Sequence, residues 1–75
     1  ILIMLRPKQM AMVVKALQAM HEVRELHSVS GGHDLVAFAV AGNVGEMDVL
    51  TDRIGAIDGV DRTTTSIILS TKFER

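Results

Sequence analysis

The sequence predicts a single α+β domain of order β-α-β-β-α-β, with a four-stranded antiparallel sheet and two helices on one of its faces. Three observations predict it. Seventy-five residues can enclose one core and no more. Apolar residues recur at intervals of three and four in two separate stretches, each flanked by short β-favouring runs. The two stretches also repeat at a constant offset of 37 residues: Met10, Val13, Leu17, Met20 and Val23 correspond to Met47, Leu50, Ile54, Ile57 and Val60.

Taken in order, Ile1 to Leu5 is a short apolar run closed by Arg6-Pro7, and reads as a buried strand. Lys8 to Met20 carries Met10, Val13, Val14, Leu17 and Met20 on one helical face. Val23 to Ser30 reads as a second strand that points Val23, Leu26 and Val29 inward, and Gly31-Gly32 breaks it. Leu35 to Ala41 is a third strand, apolar on both faces, which Gly42-Asn43 ends. Asn43 with Glu46 three residues on is an N-cap and capping box for the second helix, and Asp58-Gly59 is its expected terminator. Thr63 to Lys72, β-branched and alternating, reads as the fourth strand. Two right-handed βαβ halves of this kind put both helices on one sheet face, which is the ferredoxin-like arrangement.

That arrangement leaves the second sheet face uncovered. Because neither Val36, Phe38 and Val40 nor Leu35, Ala37 and Ala39 is polar, one apolar face of the third strand has to meet a partner. A sheet-to-sheet homodimer supplies it, and adds stability that so small a domain lacks.

Composition excludes several classes. Eight basic residues against nine acidic ones give a net charge of −1, and the chain has no Trp or Tyr, so neither the basic face nor the stacking platforms of a nucleic-acid binder are present. With no cysteine there is no disulfide framework and no thiolate metal site. No apolar run is long enough to span a bilayer, and no leader is visible, which makes a cytoplasmic protein the expectation.

The polar candidates are few. His33 and Asp34 are neighbours that extended backbone sends to opposite faces, so scattered histidines at 21, 27 and 33 outweigh a metal site, and no metal or cofactor is expected. Ser28, Ser30, His33 and Asp34 are all local, unlike a nucleophilic triad. "SGGHDL" opens a strand rather than a helix, which argues against a phosphate loop. A hairpin turn explains the glycines. The same stretch, Gly31, Gly32, His33 and Asp34, also offers N–H groups to a carboxylate, and carbonyls with Asp34 to an ammonium; on the residues alone the amino-acid site ranks no higher than the plain turn. A second polar cluster, Asp61 to Ser66, is either a plain strand start or a row of hydroxyls in which Thr63 and Thr65 share a face.

On "VRELHSVSGGHDLVAFAV" and "DGVDRTTTSIILST" the chain resembles the effector-binding domain of the leucine-responsive regulatory protein and asparagine-operon regulator (Lrp/AsnC) family, the RAM domain. The resemblance covers essentially the whole chain. Gly31 and Asp34 fall on the family's Gly-x-x-Asp turn; Arg62, Thr63, Thr65, Ser66 and Ile67 fall on its last strand. It implies a transcription-regulation domain that dimerises through its sheets, assembles further into octameric rings, and binds amino-acid effectors between dimers near that turn. Family members usually carry a helix-turn-helix as well. The 75 residues hold none, so the likeness is to stand-alone members, which bind amino acids or co-assemble with full-length relatives. The chain departs from the family at His21-Glu22-Val23, where Pro-Gly-Val is commoner, and at Gly32-His33 inside the turn.

The leading expectation is therefore an oligomeric amino-acid or small-metabolite sensor without enzymatic activity, using Gly31, Gly32, His33, Asp34, Thr63 and Thr65. The alternatives are a ligand-free assembly partner of full-length Lrp/AsnC regulators and, behind it, a small dimeric ferredoxin-like enzyme.

Overall fold

Strands β1 (Leu2–Leu5), β2 (Val23–Ser28), β3 (Leu35–Ala39) and β4 (Val60–Thr64), with helices α1 (Met10–Gln18) and α2 (Val44–Gly55), follow one another in the expected order in a computed structural model that describes all 75 residues. The sheet order is β2-β3-β1-β4, and every neighbouring pair is antiparallel. β1 is thus central, and Ile3 pairs with Leu35 on one side and Thr63 on the other.

The 37-residue repeat survives as packing. Val13 and Leu17 of α1 and their equivalents Leu50 and Ile54 of α2 are all buried, and they meet Ile3, Leu35, Ala37 and Val60 on one face of the sheet. Those eight side chains are the whole fully buried apolar core. The other sheet face carries Leu2, Met4, Val36 and Phe38 at its centre, with no helix over them, and Phe38 and Val40 remain 44% and 52% exposed.

The N-terminus of α2 is built as expected, with one change. Asn43 Oδ1 accepts the Glu46 amide at 2.8 Å, but the Glu46 carboxylate reaches back to the amide of Gly42, one residue before the cap. Asp58-Gly59 does not terminate the helix directly. α2 ends at Gly55, and Gly59 takes the third position of the following turn, closed by Val60 N–H to Ile57 C=O at 3.1 Å.

Gly59 is required there twice over. Its φ is +100°, and a Cβ would lie 2.8 Å from Gln9 Cβ and 3.0 Å from Val13 Cγ2, where the turn presses against the start of α1. Gly59→Ala is expected to cost about 2 kcal/mol in a urea melt, since strain and crowding act together; an unchanged midpoint would refute this account.

Three strands end before their sequence pattern does. β2 stops at Ser28 rather than Ser30 and leaves Val29 exposed, β3 stops at Ala39 rather than Ala41, and β4 begins at Val60 rather than Thr63 and stops at Thr64 rather than Lys72. β1 pairs with β4 from Leu2 opposite Thr64 onward, and the residues after Thr64 lie outside the ladder. They leave Ile67, Ile68, Leu69 and Phe73 exposed, with Arg75 stacked 5.0 Å over the Phe73 ring.

Candidate functional site

The loop from Val29 to Asp34 joins β2 to β3 and is closed by the Val29 amide donating to the Asp34 carbonyl at 3.1 Å. Gly31 lies at φ +98°, which only glycine adopts readily, whereas Gly32 has no such requirement. A Cβ on either would meet nothing within 4 Å, so the backbone here faces open space. His33 is half-buried.

Asp34 does more than end the turn. Its Oδ2 accepts the amide of Leu5 at 2.8 Å, and its own amide donates to Ile3 C=O at 3.0 Å. Leu5 sits where the β1–β4 register shifts between Met4 and Leu5. The carboxylate therefore binds an amide at the end of β1 through Oδ2, and its Oδ1 makes no hydrogen bond within the chain.

The two threonines lie elsewhere. Thr63 is half-buried opposite Ile3, two strands across from Leu35, so roughly 10 Å of sheet separates it from the turn. Thr65 packs against α2: Thr51 Oγ1 donates to Met47 C=O at 2.9 Å and lies 3.2 Å from Thr65 Oγ1. Since the Thr51 hydrogen is used on Met47, the Thr65 hydroxyl is the donor to Thr51 and keeps its lone pairs free to accept. Thr65 also lines a mostly apolar groove of about 490 Å³ between β3 and the segment after β4, with Phe38, Val40 and Ile67. Residues 31 to 34 line neither that groove nor the larger cleft beside the start of α2. Within one copy the expected site residues thus form two separate groups.

Sequence reasoning missed Thr51, whose only signal was a hydroxyl next to Leu50 on an otherwise regular helix. It also gave no role to Glu22. Glu22 Oε2 accepts from Arg53 Nη1 at 2.9 Å, and His21 Nδ1 stands 3.4 Å from Oε1. The Glu22 carboxyl is held below the ordinary carboxylate range by its own nearby backbone amide, with burial opposing and Arg53 and His21 assisting.

The remaining imidazole, His27, bonds Glu25 at 3.1 Å and meets the Phe38 ring edge-on, with centroids 6.0 Å apart, on the open sheet face. On that face Arg62 also points its Nε at the Met4 sulfur, 3.1 Å away. No three His, Asp or Glu side chains converge as metal ligands would, and no helix is long and apolar enough to cross a membrane.

The family description "Lrp/AsnC ligand binding domain" matches residues 1–75. The chain belongs to that family. It is 35% identical over 65 residues to the HTH-type transcriptional regulator LrpA of Pyrococcus horikoshii, which covers 85% of this chain and 46% of that protein. It is 34% identical over 74 residues to the HTH-type transcriptional regulator FL11 of Pyrococcus abyssi, covering 99% of this chain and 49% of that one. The Lrp/AsnC domain described above thus spans about half the length of these relatives. Its four-stranded antiparallel sheet and two helices in βαββαβ order are the ferredoxin-like α+β fold. A regulatory domain is what the family and the relatives support, and both relatives are regulators rather than enzymes by name.

Proposed function

We propose that this Lrp/AsnC domain works as a homo-oligomer that senses a free amino acid or a closely related small metabolite, in a pocket completed between copies. The observation that carries the reading is the split of the site. One copy offers an open glycine turn with a carboxylate oxygen to spare at Asp34, and separately a groove with an accepting hydroxyl at Thr65. An effector held by both has to lie where the turn of one copy approaches the last strand of another. Amides around Gly31 and Gly32 suit the effector's carboxylate. Asp34 Oδ1 and Thr65 Oγ1 suit its ammonium, while Thr63 and His33 bound the space left for the side chain.

Self-association rests on the uncovered apolar face and the unpaired segment after β4. We place this domain in transcription regulation, in the cytoplasm, as the effector-reading part of its regulator, without enzymatic activity. Mixed assembly with full-length relatives would use the same surfaces.

The test is a calorimetric screen of the twenty amino acids against the wild type and Asp34→Asn. The substituted side chain keeps a carbonyl oxygen for the Leu5 amide and loses the charge, so the fold is retained while affinity for the bound amino acid falls about tenfold or more. No binding to the wild type, or equal binding to Asp34→Asn, would refute the effector reading.

A further inference from the structure

The open face of the sheet is apolar at its centre and charged at two of its corners. Residues paired across an antiparallel ladder share a face, so the register that aligns Leu2 with Val36 and Thr64, Met4 with Arg62, and Phe38 with Glu25 puts all of them on this side. Glu25 belongs to the edge strand β2 and Arg62 to the opposite edge strand, β4. Both are exposed. Glu25 uses Oε1 on His27 Nε2, 3.1 Å away. Arg62 aims its Nε at the Met4 sulfur, a weak acceptor, and no carboxylate lies within 4.0 Å of its guanidinium. Three strand spacings across and about four residues along separate the two, roughly 20 Å on the diagonal, so they cannot meet within one copy.

A face that carries one sign of charge at one corner and the other sign at the diagonal corner is complementary to itself. We propose that a second copy of this chain covers the open face in one fixed orientation, with Glu25 of each copy paired to Arg62 of the partner subunit. A two-fold contact makes that ion pair twice, on either side of an apolar centre of Leu2, Val36 and Phe38. The two corners also select how the sheets cross. A two-fold axis exchanges them only when it runs across their diagonal, which turns the strands of the two sheets to nearly a right angle. Closely aligned sheets instead bring Glu25 over the end of β4, at Thr64 or beyond it, and leave both charges desolvated without a partner. This assignment rests on the self-association proposed above, and adds to it the pair of residues that sets the orientation and rejects a face of like charge.

Sedimentation of the full 75-residue chain over a range of concentrations tests it, on the wild type, Glu25→Arg, Arg62→Glu and an equimolar mixture of the two variants. Each variant alone sets like charges against each other twice, so its dimer is expected to dissociate about tenfold more readily or worse. In the mixture a copy with two guanidiniums meets a copy with two carboxylates, both corners match, and association returns to the wild-type level as a heterodimer. Mixing repairs a lost ion pair and does not repair a lost fold. Two folded variants that associate as tightly as the wild type would overturn the pairing, as would a mixture no tighter than its components. Should either charge reversal lose its far-UV spectrum, Glu25→Gln and Arg62→Gln carry the test: each is expected to loosen the dimer about threefold, and unchanged dissociation refutes the pair. A wild-type dimer that Phe38→Asp dissociates and neither charge reversal affects would overturn the pairing alone and leave the open face as the dimer surface. A wild type that stays monomeric at every concentration would overturn the self-association, and the pairing with it.

Discussion

Ile54→Ala is expected to remove about half of the domain's stability. Ile54 is fully buried in α2 and touches a core of only eight fully buried side chains, so no reserve of packing surrounds it. Truncating such an isoleucine costs about 2–5 kcal/mol, from lost transfer energy plus the cavity left behind. At the usual 0.05–0.15 kcal/mol per residue a chain this long has about 4–11 kcal/mol in total. Its repeat-related partner Leu17 is equally buried on α1, and Leu17→Ala should match it within about 1 kcal/mol. Urea melts at one fixed protein concentration check both, because self-association adds a concentration-dependent contribution. A loss below about 1 kcal/mol at either position would mean that the two helices do not share one core.

The helical half of the fold was legible because its signal is local. Met10, Val13, Leu17 and Met20 declare a face within a dozen residues, and Met47, Leu50, Ile54 and Ile57 repeat it. Strand ends were less legible, since they depend on the neighbour. Nothing between Thr65 and Lys72 forbids a strand, and β4 nonetheless ends at Thr64, where its register with β1 ends opposite Leu2. The candidate site divides along the same line. Gly31 marks its turn through its own φ, a property of one residue. Asp34 was read as a ligand group, and its bond to the Leu5 amide joins residues 29 apart in the chain, which no local pattern reveals. Thr65 likewise gains its donor role only by meeting Thr51 on another element. The pairing of Glu22 with Arg53 spans 31 residues, which no local pattern reveals either.

Phe38→Asp is expected to convert a dimer into a folded monomer. Phe38 lies on the uncovered sheet face with Leu2, Met4 and Val36, where its ring, 44% exposed, stands outside the buried core that the substitution would otherwise strip. In a sheet-to-sheet pair the same face is used twice, so each substitution acts once in each copy. Burying a phenylalanine contributes about 1.5–3 kcal/mol, and an aspartate in its place has to be desolvated without a partner. Counting two copies, the dissociation constant should rise by about a hundredfold or more. Sedimentation of the wild type as a dimer or larger, and of Phe38→Asp as a monomer with an unchanged far-UV spectrum, is the expected pair of results. A control on the opposite side of the molecule, Lys15→Asp on the exposed flank of α1, should leave the assembly intact. If Phe38→Asp stays associated while folded, the open face is not the dimer surface. The segment after Thr64, with Ile67, Ile68, Leu69 and Phe73 exposed, then becomes the surface that holds the copies together.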